Sequence, residues 1–157
     1  MGTITTEETT MTNNPSIYIA GKVWHAPVFQ AMRPEFNIIS RWIDLDNESD
    51  LVLNRKNELW QMCLEDSTKA DMTVVWCGDF DEEQRGVLVE MGHAIAAGKP
   101  VFIFNTCKTF EPNGISDCAF THHPLVHWVK AEDTISVGYA LSFARSFYNQ
   151  NMLEKVA

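Results

Sequence analysis

Apolar residues along this chain fall into short continuous runs, separated by longer stretches in which they recur at helical spacing. Residues 16–20, SIYIA, form the first run and meet Gly21, which reads as a buried strand ending in a turn. Residues 25–33 follow as a short helix stopped at Pro34, and residues 36–43, FNIISRWI, read as a second strand. After the acidic loop DLDNESD, residues 51–69 carry Leu51, Leu59, Trp60, Cys63 and Leu64 at mostly helical intervals. MTVVWC, residues 72–77, is apolar throughout and β-branched in part, as expected of a central strand covered on both faces. The acidic turn GDFDEE leads into a helix over residues 84–98, closed by Gly98. VFIF at 101–104 is a further buried strand, followed by a loop holding Pro112, Asn113 and Gly114. LVHWV at 125–129 predicts a last strand, and residues 131–150 a last amphipathic helix.

Strands and helices therefore alternate, which implies an α/β protein with a parallel sheet and helices on both faces. Five such strands predict a flavodoxin-like three-layer sandwich with strand order 2-1-3-4-5. In that arrangement a ligand binds beyond the carboxyl ends of the strands, where the strand order reverses. The loop after Ala20 and the loop after Cys77 would then border one crevice. Residues 1–14, rich in Thr and acidic groups, read as a disordered tail, and residues 15–157 as a single domain without internal repeats.

The formal net charge of −9 over 157 residues argues against a polymeric nucleic acid as partner, since phosphate neutralisation needs an excess of Lys and Arg. It leaves a small nucleoside or nucleotide open. No run of about 18 apolar residues predicts a membrane span, and the N-terminus lacks the basic start and apolar middle of a signal peptide, so a cytoplasmic location is expected. Cys63, Cys77, Cys107 and Cys118 form no CxxC pair and read as free thiols. His122, His123 and His127 in THHPLVH lie in a loop entering a strand, where successive side chains diverge, so no metal site is expected. GxGxxG, Walker A and GxSxG patterns are all missing, and no cofactor is expected.

One carboxylate stands out. On a helical wheel of about 100° per residue, Val87, Leu88, Met91, Ala94 and Ile95 form one apolar sector, with Val89 and Ala96 opposite. Glu90 falls on the border, stacked with Gly86 and Ala97 and near His93. It lies on a helix leaving the carboxyl end of a central strand, and Gly86 one turn earlier leaves room for a ligand. The helix N-terminus favours its ionised form. A positioned, ionised carboxylate is what attack on a sugar C1 requires. An ordinary solvated Glu on a helix edge is the plain alternative. Tyr18, Trp24, His25 and Phe29 cluster on and after the first strand. Trp24 is the strongest candidate to stack on a base, Phe29 is better read as core, and Trp42 would flank the same crevice. Lys22 and Arg41 are candidates for a 5′-phosphate, each with an ordinary surface role as the simpler reading.

The segments IYIAG at 17–21, AD at 70–71 before an apolar strand, and RGVLVEMGHAIAAGKPVFIF at 85–104 resemble the nucleoside 2-deoxyribosyltransferase family. The E-x-G-x-A…G-K-P-V block is the most specific of the three. The resemblance covers most of residues 16–130 and implies the same flavodoxin-like fold. It also implies that Glu90 is the nucleophile and that Tyr18 orients its carboxylate. Gly21, Trp24, Asp79, Gln84 and Gly86 would contact the substrate. Two positions depart from the family pattern. Gln84 and Cys63 stand where the family carries aspartates, and Gln84 can hydrogen-bond but cannot act as an acid. Nearby Asp79, Asp81, Glu82 and Glu83 are candidates to replace that function. The activity implied is cleavage of the N-glycosidic bond of a 2′-deoxynucleoside through a covalent Glu90–deoxyribosyl intermediate, with transfer of the sugar to another base in nucleotide salvage. The expected partner is a small nucleoside or nucleotide, and the protein a homo-oligomer. Two alternatives remain open from sequence: a 2′-deoxynucleoside 5′-monophosphate N-glycosidase, and a non-catalytic nucleotide-binding or sensor protein.

Overall fold

The structure, a computed structural model, describes residues 14–46, 48–78, 85–105, 122–130 and 136–152. Within them the chain is α/β. Strand β1 (Ile17–Ala20) leads through a 3-10 turn, Val23–His25, into α1 (Ala26–Met32). A second 3-10 turn, Arg41–Asp44, is followed by α2 (Asp50–Leu53), α3 (Lys56–Lys69), β2 (Met72–Cys77) and α4 (Arg85–Ala96). Strands β3 (Val101–Asn105) and β4 (Val126–Lys130) and helix α5 (Val137–Asn151) complete the described elements. The expected tail lies, except for Asn14, outside the described residues. So do Asp79, Asp81, Glu82, Glu83 and Gln84, Cys107 and Cys118, and the loop around Pro112.

The four strands form one parallel sheet in the order β1-β2-β3-β4. Every residue of β1 and β2 is buried, which explains why both read as unbroken apolar runs rather than alternating ones. Alternate residues face opposite sides. Ile19, Val74, Phe102 and His127 share a row in register, and Phe102 and His127 both meet the Phe147 ring of α5. Phe29 of α1 meets Trp76 edge-on from the same side. Tyr18, Thr73, Val101 and Val126 form a row on the opposite face, toward α3 and α4.

Residues 36–43 differ from the expected fifth strand. They give a single parallel bridge, Ile17 to Ile38, with Ile17 N–H donating to Asn37 O at 2.8 Å and Ile39 N–H donating to Ile17 O at 3.0 Å. The ladder then stops because side chains take over its next two bonds. Ile19 N–H donates to Ser40 Oγ at 2.6 Å, and Trp42 Nε1 donates to Ile19 O at 2.7 Å. With the backbone of Ile19 satisfied in this way, the segment is free to coil into a 3-10 turn. Trp42 is buried by this bond, so it belongs to the core and not to a crevice wall.

The expected helix over 51–69 is two helices. Ser49 caps α2 by accepting from Val52 N–H, and α2 ends where Asn54 Nδ2 donates to Asp50 Oδ1 at 2.9 Å. The last helix begins at Val137, where Ser136 Oγ accepts from Tyr139 N–H. Helix α4 closes as its sequence implies: Lys99 N–H donates to Ala94 O and Gly98 N–H to Ile95 O, with Gly98 at φ 73°. The first two strands are locked at both ends. At the amino end, Asp71 Oδ2 accepts from Ser16 N–H at 2.8 Å and from Ser16 Oγ at 3.0 Å, while Asp71 N–H donates to Ser16 Oγ. At the carboxyl end, a Cβ on Gly21 would lie 3.2 Å from Trp76 O, so the two chains approach closely there and leave little room for a larger residue.

Replacing Ser40 by Ala should destabilise the fold by about 1–3 kcal/mol, because it strands the buried N–H of Ile19. Urea unfolding measures this, and an unchanged midpoint contradicts the role given to the Ser40 hydroxyl.

Candidate functional site

The row of side chains facing α3 and α4 contains one large polar group, Tyr18. Tyr18 is fully buried, and its hydroxyl donates to Glu90 Oε1 at 2.7 Å. Glu90 sits in the middle of α4 and is half-buried. Its position follows from the amphipathic pattern. Val87, Met91 and Ala94 are buried against the sheet, Leu88 and Ile95 pack at the margin, and Val89 is 63% exposed on the far side. Glu90 lies between these sectors, so its side chain is carried inward to the strand rather than out to solvent.

Burial dominates the electrostatics. Desolvation pushes the Glu90 carboxyl up to about 7, and the hydrogen bond from Tyr18 only partly offsets it. Sequence reasoning favoured an ionised carboxylate on account of the helix N-terminus. That contribution fades within the first turn and is worth about 1 kcal/mol at most on a surface, whereas a rise from 4.5 to about 7 corresponds to roughly 3 kcal/mol. Glu90 is therefore poised near neutrality. The Tyr18 phenol is pushed far upward by burial, then by the Glu90 charge and by Cys63, so it stays protonated and remains a donor.

Cys63 of α3, half-buried, lies near enough to this pair for Glu90 and Tyr18 to act on its thiol. Burial and the Glu90 charge push its thiol up to about 11, so it is neutral. One turn further along α3, Asp66 is 4% exposed and is gripped by Arg41. Arg41 N–H donates to Asp66 Oδ2 and Arg41 Nε to Asp66 Oδ1, both at 2.9 Å, and the guanidinium also reaches Glu65. Arg41 is thus engaged in holding α3. The sequence marked Cys63 only as a departure from a family pattern. Its approach to Tyr18, like the Arg41–Asp66 grip, joins residues far apart in the chain, and spacing along α3 hints at it only through the one-turn offset of Cys63 and Asp66.

The other candidates separate into distinct places. Gly21 packs against the end of β2, and Trp24, just beyond it, is 56% exposed with Lys22 Nζ 5.8 Å from its ring centroid. Gly86 lies one turn before Glu90 with open space around it among the described residues. Asp79 and Gln84 lie outside the described residues. Phe29 is core. Asp71 of the AD motif sits at the amino ends of the strands, away from the carboxyl rim. His93 hydrogen-bonds Thr68 of α3, His123 Nδ1 accepts from Leu125 N–H, and His127 stacks on Phe102. Among the described residues, no group of three or more His, Cys, Asp or Glu could hold a metal, and no helix is long and apolar enough to cross a membrane.

Between pH 4.5 and about 7 the folded chain holds a proton on Glu90 that the unfolded chain has released, so stability falls as pH rises through that window. Glu90→Gln escapes this loss. It should match the wild type near pH 4 and exceed it by about 2–3 kcal/mol at pH 8, read from denaturant unfolding at each pH. Equal stabilities at pH 8 would contradict a desolvated carboxyl. Comparison with protein-family models and with curated protein sequences found no match to this chain.

Proposed function

We propose that this protein is a nucleoside 2-deoxyribosyltransferase-like enzyme that cleaves the N-glycosidic bond of 2′-deoxynucleosides and passes the sugar to another base. The observation that carries this reading is the 2.7 Å hydrogen bond from Tyr18 to a desolvated Glu90, the pair that the resemblance to that family singles out. Support for the setting comes from the four-stranded parallel sheet, with which a flavodoxin-like sandwich is compatible, and from the single Ile17–Ile38 bridge on the far side of β1. The proposal includes a cytoplasmic homo-oligomer acting on a small nucleoside or nucleotide.

In the first step an oxygen of ionised Glu90 attacks C1′, the C1′–N bond breaks, and its electron pair leaves with the base, which takes a proton from a nearby acid or water. In the second step a nitrogen of the incoming base attacks C1′, the bond to Glu90 breaks with its electron pair on the carboxylate, and the proton of that nitrogen passes to the conjugate base of the same acid or to water. The carboxylate is then free again. Tyr18 contributes by placing its proton against Glu90, which fixes the rotamer and stabilises the charge that returns when the ester is cleaved. A missing 2′-OH favours the oxocarbenium-like transition state, because less electron density is withdrawn from C1′.

A second reading, a non-catalytic nucleotide-binding or sensor protein, is favoured by one observation. Among the described residues, the neighbour of the Tyr18–Glu90 pair on α3 is the neutral thiol of Cys63, not a carboxylic acid.

Intact-mass measurement after mixing with deoxynucleosides and with deoxynucleoside 5′-monophosphates tests both. A gain of one deoxyribosyl unit, lost in Glu90→Ala, is expected, and product separation with and without an acceptor base then distinguishes transfer from hydrolysis. No adduct and no turnover, with ligand affinity intact in Glu90→Ala, would leave the sensor. Because the attacking form is ionised, adduct formation should rise with pH through a midpoint near 7. Tyr18→Phe removes the bond that lowers this value, so its midpoint should move upward and its rate at neutral pH fall about tenfold or more.

A further inference from the structure

Helices α3 and α4 pack side by side and run in the same direction. α3 ends at Lys69, just before β2 begins. α4 starts after β2 has ended and closes just before β3. Each helix therefore runs from the carboxyl ends of the parallel strands toward their amino ends. The bond between Thr68 and His93 fixes their relative height. At about 1.5 Å per residue, Gly86 lies roughly 10 Å above that bond on α4, and Trp60 roughly 12 Å above it on α3. Trp60 and Gly86 thus stand nearly level, about one turn above Glu90.

Trp60 also points inward. It falls about 20° from Ser67 on the wheel of α3, and Ser67 is fully buried. Along this sector burial gives out toward the start of the helix: Ser67 is sealed, Cys63 is half-buried, and Trp60 is 57% exposed. The reason is height. Counted upward from Ala70 and Met72, Trp60 reaches the level of Trp76 and Cys77, the last residues of β2, while β1 has already ended at Ala20. Gly86 has open space where a side chain would stand, among the described residues. An exposed indole on the inner face of one helix and an open glycine level with it on the next are both costly, and no packing among the described residues explains either.

We propose that Trp60 and Gly86 bound a slot for a flat heteroaromatic ring, with the indole as the surface on which the base of the substrate stacks. The class of ligand rests on the glycosyl reading above. Helix axes about 8–10 Å apart leave a ring's thickness between an indole on one side and a glycine on the other. Tyr18 occupies Glu90 Oε1, which leaves Oε2 for the sugar, and a ring held against Trp60 hangs its sugar one turn lower, at Glu90. Stacking needs only a π face, so the slot takes purines and pyrimidines alike. Trp24 is the rival platform. It is 56% exposed, but it leads into α1 on the opposite face of the sheet, and its ring already meets the Lys22 ammonium.

The test uses Glu90→Gln protein, which forms no adduct, carrying isotope-labelled tryptophan. The five indole N–H resonances are assigned by single Trp→Phe replacements and followed by NMR as 2′-deoxyadenosine, 2′-deoxyguanosine, 2′-deoxycytidine or thymidine is added. The Trp60 signal should move furthest. Trp60→Ala should weaken binding roughly 5- to 100-fold, Trp60→Phe should keep most of it, and Trp24→Ala should change it little. Gly86→Val, which fills the slot from the other side, should weaken binding as much as Trp60→Ala, and it is tolerated by the fold because a Cβ there meets nothing. Urea midpoints check folding; should Trp60→Ala unfold, Trp60→Leu, apolar but without a π face, takes its place. No shift at Trp60 with any of the four nucleosides, or a loss in Trp24→Ala with none in Trp60→Ala, overturns the slot. Intact mass of the protein with Glu90 in place separates slot from chemistry. Binding through Trp60 without an adduct removes the glycosyl reading and leaves the slot. An adduct that forms equally fast in Trp60→Ala at low substrate removes the slot and leaves the chemistry.

Discussion

The hydroxyl of Tyr18 leaves a fully buried strand and ends 2.7 Å from a carboxylate on the helix above it. This contact exists only because the register of β1 is right. A slip of one residue would turn Tyr18 toward α5 and α1 and bring Ile17 or Ile19 beneath α4. The clasp of Ser16 and Asp71 at one end of β1, and the tight contact of Gly21 with Trp76 at the other, hold that register. The same placement sets the chemistry. A carboxylate in solvent would titrate at its ordinary value, whereas here the loss of water outweighs both the helix dipole and the hydrogen bond from the phenol. Fold and the protonation of Glu90 thus share one constraint, the packing of α4 over the β1 side of the sheet.

Much of this was legible in the chain. Strands with both faces covered announce themselves as continuous apolar runs, and MTVVWC and VFIF fall within a residue of the observed strands. The wheel of α4 put Glu90 between its apolar and outward sectors, which is where the side chain must lie to reach a strand and still touch the surface. Gly98 marked the end of that helix because a left-handed residue was needed there.

What was hidden depends on partners distant in sequence. FNIISRWI has strand composition, and nothing local shows that Ser40 and Trp42 will take the place of backbone groups beside Ile19. Arg41 looks like any surface cation until Asp66, 25 positions later, is folded against it. The charge state of Glu90 was likewise hidden. Helix position argued for ionisation, while the opposing desolvation arises only when β1, α3 and α4 come together.

The side-chain substitutions beside Ile19 also bear on how this sheet meets other molecules. The outer edge of β1 has its hydrogen-bonding groups taken: Ile17 by the backbone of Asn37 and Ile39, Ile19 by a serine hydroxyl and an indole. An extended peptide approaching from that side finds no ladder to join. Strand addition and edge-to-edge aggregation are closed off at β1, and a second molecule that binds on this flank must do so through side chains.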